Sequence, residues 1–229
     1  MKSVGIIGGL GPETTAEFYL EVIFQCQKSD TTQRPLVLIS SVPLLFEIER
    51  DLISTNTGKE RYIPYLVKEA QRLEKSGVDF LVMPCNSLHI FINEIRESVS
   101  IPVLSIVEET VATLSKNRII KVGLISTSAT IKNKVYENSF AAAGIEFVTP
   151  NDLQRAKMDK IIQNLISGRH MNDDREYIQG VITNLTTKGV ESVALACTDL
   201  QILLPESDKI AVFDTMKVLA EATVNEILS

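Results

Sequence analysis

Two of the three cysteines in this chain stand in matched surroundings: Met83-Pro84-Cys85-Asn86-Ser87 and Leu195-Ala196-Cys197-Thr198-Asp199. In each, an apolar run that reads as a strand leads into the cysteine and short polar residues follow it. A cysteine where a strand ends and a helix opens meets unpaired N–H groups and the positive end of the helix dipole. Both features favour a thiolate and lower its pKa. Two such groups on opposite sides of one carbon suit stereochemical inversion: one thiolate removes a proton from one face, and the other thiol returns a proton to the opposite face. General acid–base catalysis of this kind works best with groups tuned near the operating pH. A free cysteine is otherwise a small buried hydrophobe. Cys26, in the helix after the first strand and without a match in the second half, is read that way.

The elements that must position these residues alternate along the chain. Lys2 to Gly8, Leu36 to Val42, Val78 to Met83 and Val103 to Ile106 read as strands. Glu13 to Lys28, Lys59 to Lys75 and Cys85 to Glu97 read as helices between them. The second half continues with strands at Ile119 to Ser126, Ile145 to Thr149, Val190 to Leu195 and Ile210 to Phe213. Its helices are Ala129 to Ala143, Arg155 to Ile166 and Asp173 to Lys188. Strands alternating with helices imply an α/β fold whose mainly parallel sheets are flanked by helices.

The halves also match in sequence. VGIIGGLGPETT from Val4 pairs with VGLISTSATIKN from Val122, SGVDFLVMPCNSLHIF from Ser76 with KGVESVALACTDLQIL from Lys188, and SIPVLSIVEETV from Ser100 with KIAVFDTMKVLA from Lys209. The cysteine falls at the same register in both, nine residues beyond Ser76 and nine beyond Lys188. The pattern predicts two similar α/β domains, residues 1–105 and 106–215, facing each other across a pseudo-twofold axis. The active site would then lie in the cleft between them, beyond the carboxyl ends of the strands. A C-terminal helix over 216–229 is expected to return to the first domain.

MPCNSLH around Cys85, ACTDL around Cys197 and the opening GIIGGLGPETT resemble the motifs of the aspartate/glutamate racemase superfamily, aspartate racemase branch. The resemblance covers essentially the whole chain in element order and spacing. It implies a two-domain α/β fold, a cleft active site, no cofactor (racemisation without pyridoxal) and Cys85 and Cys197 as the catalytic pair. It also implies a homodimer. The chain departs from the usual second motif, Gly-Cys-Thr-Glu, at Ala196 and at Asp199, whose shorter carboxylate would orient the cysteine. The first motif more often has Thr where Ser87 stands. The Asp-Ser-Gly opening and the His after the second Cys-Thr, usual in the glutamate racemase branch, are both missing here.

A dicarboxylic amino acid needs a cation for its side chain, and Arg suits bidentate capture. Arg50 follows Pro43 by seven residues, as Lys157 follows Pro150, so the two are candidate symmetry mates. Asn86, Ser87, Ser126, Thr127 and Thr198 are candidate hydrogen-bond partners for the substrate. Glu13, Thr14, His89 and Asp199 are candidate supporting residues. His89 follows Cys85 by four residues on the same helix face. The only other histidine, His170, has no cysteine near it, and a metal site needs three or four ligands, so no metal is expected.

Composition narrows the alternatives. The chain has 229 residues, a net charge of −6 and a pI of about 5.1, with no basic stripe, which argues against nucleic acid. No apolar run is long enough to span a membrane. Gly8, Gly9 and Gly11 interrupt the apolar N-terminus, which reads as a buried first strand rather than a signal peptide, so a cytoplasmic location is expected. Three distant cysteines make no disulfide framework. A dinucleotide fingerprint starting at Gly9 and Gly11 would need glycine where Thr14 stands. The expected activity is aspartate racemisation. The other readings are a glutamate or broad-specificity racemase, a related cysteine-dependent isomerase, and a non-catalytic amino-acid-binding protein.

Overall fold

The computed structural model describes all residues except 30–32, 56, 170, 172, 191 and 204–209, and the side chains of 53–55. His170 lies outside the described residues. The first half runs β1 (Val4–Gly8), α1 (Pro12–Lys28), β2 (Val37–Ser41), α2 (Phe46–Thr55), α3 (Ile63–Lys75), β3 (Phe80–Val82), α4 (Ile92–Ser98) and α5 (Ile106–Lys116). The second runs β4 (Lys121–Ser126), α6 (Ser128–Lys132), α7 (Glu137–Ala143), β5 (Glu146–Val148), α8 (Asp152–Ile166), α9 (Asp174–Thr186), β6 (Ser192–Ala196), β7 (Ala211–Asp214) and α10 (Thr215–Leu228).

The strands form two parallel sheets, ordered β2-β1-β3 and β5-β4-β6-β7. In the first sheet Val103 bridges Leu81 at the position that β7 takes beside β6. The order of elements is therefore the same in both halves. Side chains alternate across each sheet, as the period of two requires. Val4 and Ile6 of β1 and Val122 and Leu124 of β4 enter one central core that spans both halves. Ile7 and Ile125 point the other way, into two outer cores under α3–α4 and α8–α9. Both sheets are thus covered on both faces, which is why their strands read as nearly continuous apolar runs. Helix α10 packs against α1 and α5, and the Lys2 N–H donates to the Ile227 carbonyl.

Several expected elements differ, each for a local reason. The run from Lys59 opens as a 3-10 turn (Lys59–Tyr62), and the α-helix starts at Ile63 because Pro64 lacks an N–H and fits only a first turn. Val103 to Ile106 is no strand beyond the single bridge. Ser105 caps α5 by accepting the Glu108 N–H, so Ile106 is already helical. Ala129 to Ala143 is split into α6 and α7, with Lys134 between them at φ 55°. Helix α2, where no element was expected, is held by buried Ile48 and Leu52.

Candidate active site

Cys85 lies three residues beyond β3 and Cys197 directly follows β6, at the carboxyl ends of the two sheets. The expected helix from Cys85 to Glu97 is instead a 3-10 turn (Ser87–Phe91) followed by α4, and Cys197 likewise leads into a 3-10 turn (Thr198–Leu203). Both cysteines line one cavity of about 50 Å³ between the halves, and they are 8% and 6% exposed.

The immediate partners of the two sulfurs differ. Cys85 Sγ lies 3.7 Å from the Ser87 hydroxyl. The Cys197 thiol donates to Asp199 Oδ2 at 3.8 Å, and Asp199 Oδ1 accepts the Thr14 hydroxyl at 2.8 Å. Thr14 belongs to α1, so the first half braces the carboxylate that serves the second-half cysteine. A Cβ on Gly11 would stand 2.9 Å from Asp199 Oδ1, and this close approach explains the glycine there.

Sequence suggested depressed thiol pKa values, and the structure corrects this. Burial pushes Cys85 up to about 11, against the Leu88 N–H and the Ser87 hydroxyl, which favour the thiolate. Burial, then the Asp199 charge, hold Cys197 well above the ordinary thiol range. Asp199 is itself raised by burial, against its hydrogen bonds from Thr14 and Cys197. Short 3-10 turns supply N–H donors without a long helix behind them, and in this small cavity desolvation outweighs them.

His89 sits beneath Cys85, with Nδ1 2.6 Å from the Cys85 carbonyl, while the Ile106 N–H donates to Nε2 at 3.1 Å. Nε2 is the acceptor, so Nδ1 carries the proton and holds the backbone of Cys85, not its sulfur. Burial lowers the His89 pKa to about 4. Among the described residues no group of three His, Cys, Asp or Glu could hold a metal.

Of the other expected residues, Asn86, Ser87, Thr127, Thr198 and Asp199 line the cavity. The Asn86 side chain is already committed: Tyr136 donates to its carbonyl, and its amide donates to Thr215 Oγ1 at 3.0 Å. Thr215 in turn donates to the Leu195 carbonyl at 2.8 Å, two residues before Cys197. Asn86 therefore ties the two cysteine loops together. Thr127 caps α6 by accepting the Thr130 N–H. Ser126 is buried off the cavity wall, its hydroxyl donated to the Thr127 carbonyl. Glu13 is exposed on the first turn of α1.

Neither expected cation reaches the cavity. Arg50 is exposed on α2 and faces a neighbouring recess, and exposed Lys157 lies 3.8 Å over the Tyr177 ring. The sequence reading missed Glu49 and Tyr62, as well as the apolar walls Leu10, Leu44, Leu52 and Ile162. Leu10 and Leu44 lie just beyond β1 and β2, so the carboxyl-end rule was a usable signal for them. Glu49 and Ile162 sit inside helices and carried none.

A two-sheet α/β scaffold thus brings one cysteine from each half to a shared cavity. A family model described as Asp/Glu/hydantoin racemase matches residues 7–223. The chain belongs to that family. It is 29% identical to the broad specificity amino-acid racemase RacX of Bacillus subtilis (strain 168), over 99% of this chain and 98% of the relative. Among solved structures, the aspartate racemase of Picrophilus torridus superposes with a TM-score of 0.78 at 26% identity, covering 99% of this chain and 94% of that one. A Yersinia pestis chain classed with the Asp/Glu racemases reaches 0.87 at 26% identity over the full length of both.

Proposed function

We propose that this protein is a pyridoxal-independent amino-acid racemase that inverts the α-carbon with Cys85 and Cys197 as its two bases. The observation that carries this reading is the placement of both cysteines, one from each half, on the wall of a single buried cavity. The cysteine in thiolate form takes the α-proton: the C–H bond breaks, an S–H bond forms, and the electron pair passes into the substrate carboxylate. The thiol of the other cysteine gives its proton to the opposite face of the carbanion, and the reverse direction exchanges their roles. Hydroxyls of Ser87 and Thr198 on the cavity wall, and one of the Thr127–Thr130 pair, which bond each other at 2.9 Å, are donors available to the carboxylate.

Both thiols are held neutral by burial, so the thiolate forms with the substrate in place, when the α-ammonium brings a positive charge into the cavity. A cavity of about 50 Å³ holds one or two waters. An amino acid would reach it from the side of α2 and α8, where Glu49 and Ile166 also line the neighbouring recess. The motifs and the Picrophilus torridus neighbour favour aspartate, while the Bacillus subtilis relative favours a wider set.

The test is α-proton exchange in D₂O, followed by NMR, with aspartate, glutamate and a panel of other amino acids, in reductant and without added cofactor. Exchange with appearance of the opposite enantiomer is expected, and neither Cys85→Ser nor Cys197→Ser should racemise. Full racemisation by either variant would overturn the two-base reading. Saturable binding of an amino acid without exchange would favour the binding-protein alternative.

A further inference from the structure

The cavity wall has a charge pattern that does not suit a dicarboxylic substrate. Among the described residues, no Lys, Arg or His lines it, and two carboxylates do, Asp199 and Glu49. Asp199 is engaged through both oxygens, by Thr14 and by Cys197. The Glu49 carboxylate has neither a hydrogen bond nor an ion pair from any described residue, although it is half-buried and its neighbour on α2, Asp51, pairs with Arg61. Burial and then the Asp199 charge push the Glu49 carboxyl up.

Glu49 also has a defined place along the path from the sulfurs. It and Ile166 belong to the walls of both the cysteine cavity and an outer recess of about 400 Å³ between α2 and α8. The cavity wall also carries the apolar Leu10, Leu44, Leu52 and Ile162, and the buried phenol of Tyr62, which feels the charges of both Cys85 and Glu49. A substrate side chain that runs from the cysteine cavity toward this recess passes Glu49, which lines both. A largely apolar wall with an unpaired carboxylate fits an aliphatic stem with a cationic head. An acidic side chain would meet Glu49 as a like charge, with its nearest candidate cations, Arg50 and Arg169, out in the recess.

We propose that Glu49 sets the specificity of this site, and that the preferred substrate carries a cationic head on an aliphatic stem, the class of lysine, ornithine and arginine. The proposal rests on the racemase reading above and deepens it.

The test compares kcat/KM for racemisation of L-lysine, L-norleucine and L-aspartate by the wild type, Glu49→Gln and Arg50→Ala. Norleucine keeps the lysine stem without the charge. The wild type is expected to favour lysine over norleucine at least tenfold, about 1.4 kcal/mol, and aspartate least. Glu49→Gln should reduce the lysine-to-norleucine ratio by a similar factor. A wild type that favours aspartate, with that activity lost in Arg50→Ala, overturns the proposal and leaves the racemase intact. An unchanged ratio in Glu49→Gln also overturns it. The wild-type ratio stands as a test even where a variant fails to fold. If no amino acid is racemised, the racemase reading fails by itself. Calorimetric binding of lysine against norleucine then decides the role of Glu49, and equal affinities overturn it.

Discussion

The two halves of the molecule share a scaffold but not a chemistry. Gly5 of β1 and Gly123 of β4 occupy the same place, and a side chain at either would press on its neighbours. A Cβ on Gly5 would stand 2.7 Å from Leu81 and 3.1 Å from Leu73 of α3; one on Gly123 would stand 3.0 Å from both Val193 and Leu185 of α9. The repeated Val-Gly is thus a packing requirement, met twice by the same helix-on-strand contact. Around the sulfurs the likeness ends. Cys85 has a neutral hydroxyl beside it and an imidazole under its backbone, whereas Cys197 has a carboxylate. The twofold scaffold brings two thiols to one cavity and gives them different partners, so the proposed two-base mechanism predicts two unequal proton transfers.

The sharpest way to break this comparison is to remove one sulfur at a time. Replacing either cysteine with serine should lower racemisation by about 10³-fold or more, within the range lost with an acid–base group. Each variant should still wash solvent deuterium into one enantiomer only, slowly, through its remaining thiol. Cys85→Ser and Cys197→Ser should serve opposite enantiomers, read by NMR of separate L and D samples. Exchange of both enantiomers by a single variant would mean that one cysteine reaches both faces, and the division of labour would fall.

The meeting of Cys85 and Cys197 at one cavity was legible in the sequence because it depends on backbone register, which the duplicated segments report directly. So was the parallel α/β architecture, since strands buried on both faces read as apolar runs. Distances between helices were not legible. The matched Pro-to-cation spacing pointed to Arg50 and Lys157, yet α2 turns Arg50 outward and Lys157 packs over Tyr177. The residue that does face the cavity, Glu49, is next to Arg50 in the chain, and one step around a helix is about 100°. The thiol environment was misjudged for a related reason. Sequence shows the N–H donors of a turn, but desolvation is set by how closely the opposite half covers the sulfur.

His89 offers a stability test of the same comparison, because Gln201 holds the matching position four residues after Cys197. The folded His89 pKa of about 4 lies below its ordinary value of 6.5, so folding favours the neutral ring. Its contribution is present above pH 6.5 and is lost as pH falls through 4. Between pH 7 and pH 5 this amounts to about 2 kcal/mol of unfolding free energy. Urea titrations at the two pH values should show that loss in the wild type and a much flatter response in His89→Gln. Equal slopes in the two proteins would mean that the buried imidazole is not what the first half loses in acid.

The smallest expected effects lie in the groups beside the sulfurs, and there the two halves should respond in opposite directions. Asp199 raises the Cys197 pKa by its charge, so Asp199→Asn should move the pH midpoint of Cys197 alkylation downward. The Ser87 hydroxyl favours the Cys85 thiolate, so Ser87→Ala should move the Cys85 midpoint upward. Iodoacetamide rates read peptide by peptide by mass spectrometry would separate these thiols from Cys26. Catalysis should fall about tenfold in Asp199→Asn, since a charge-assisted contact to the thiol is lost, and only a few-fold in Ser87→Ala, where the contact is neutral. Midpoints that shift the same way in both variants would show that the carboxylate and the hydroxyl do the same job, and the asymmetry drawn between the two halves would be wrong.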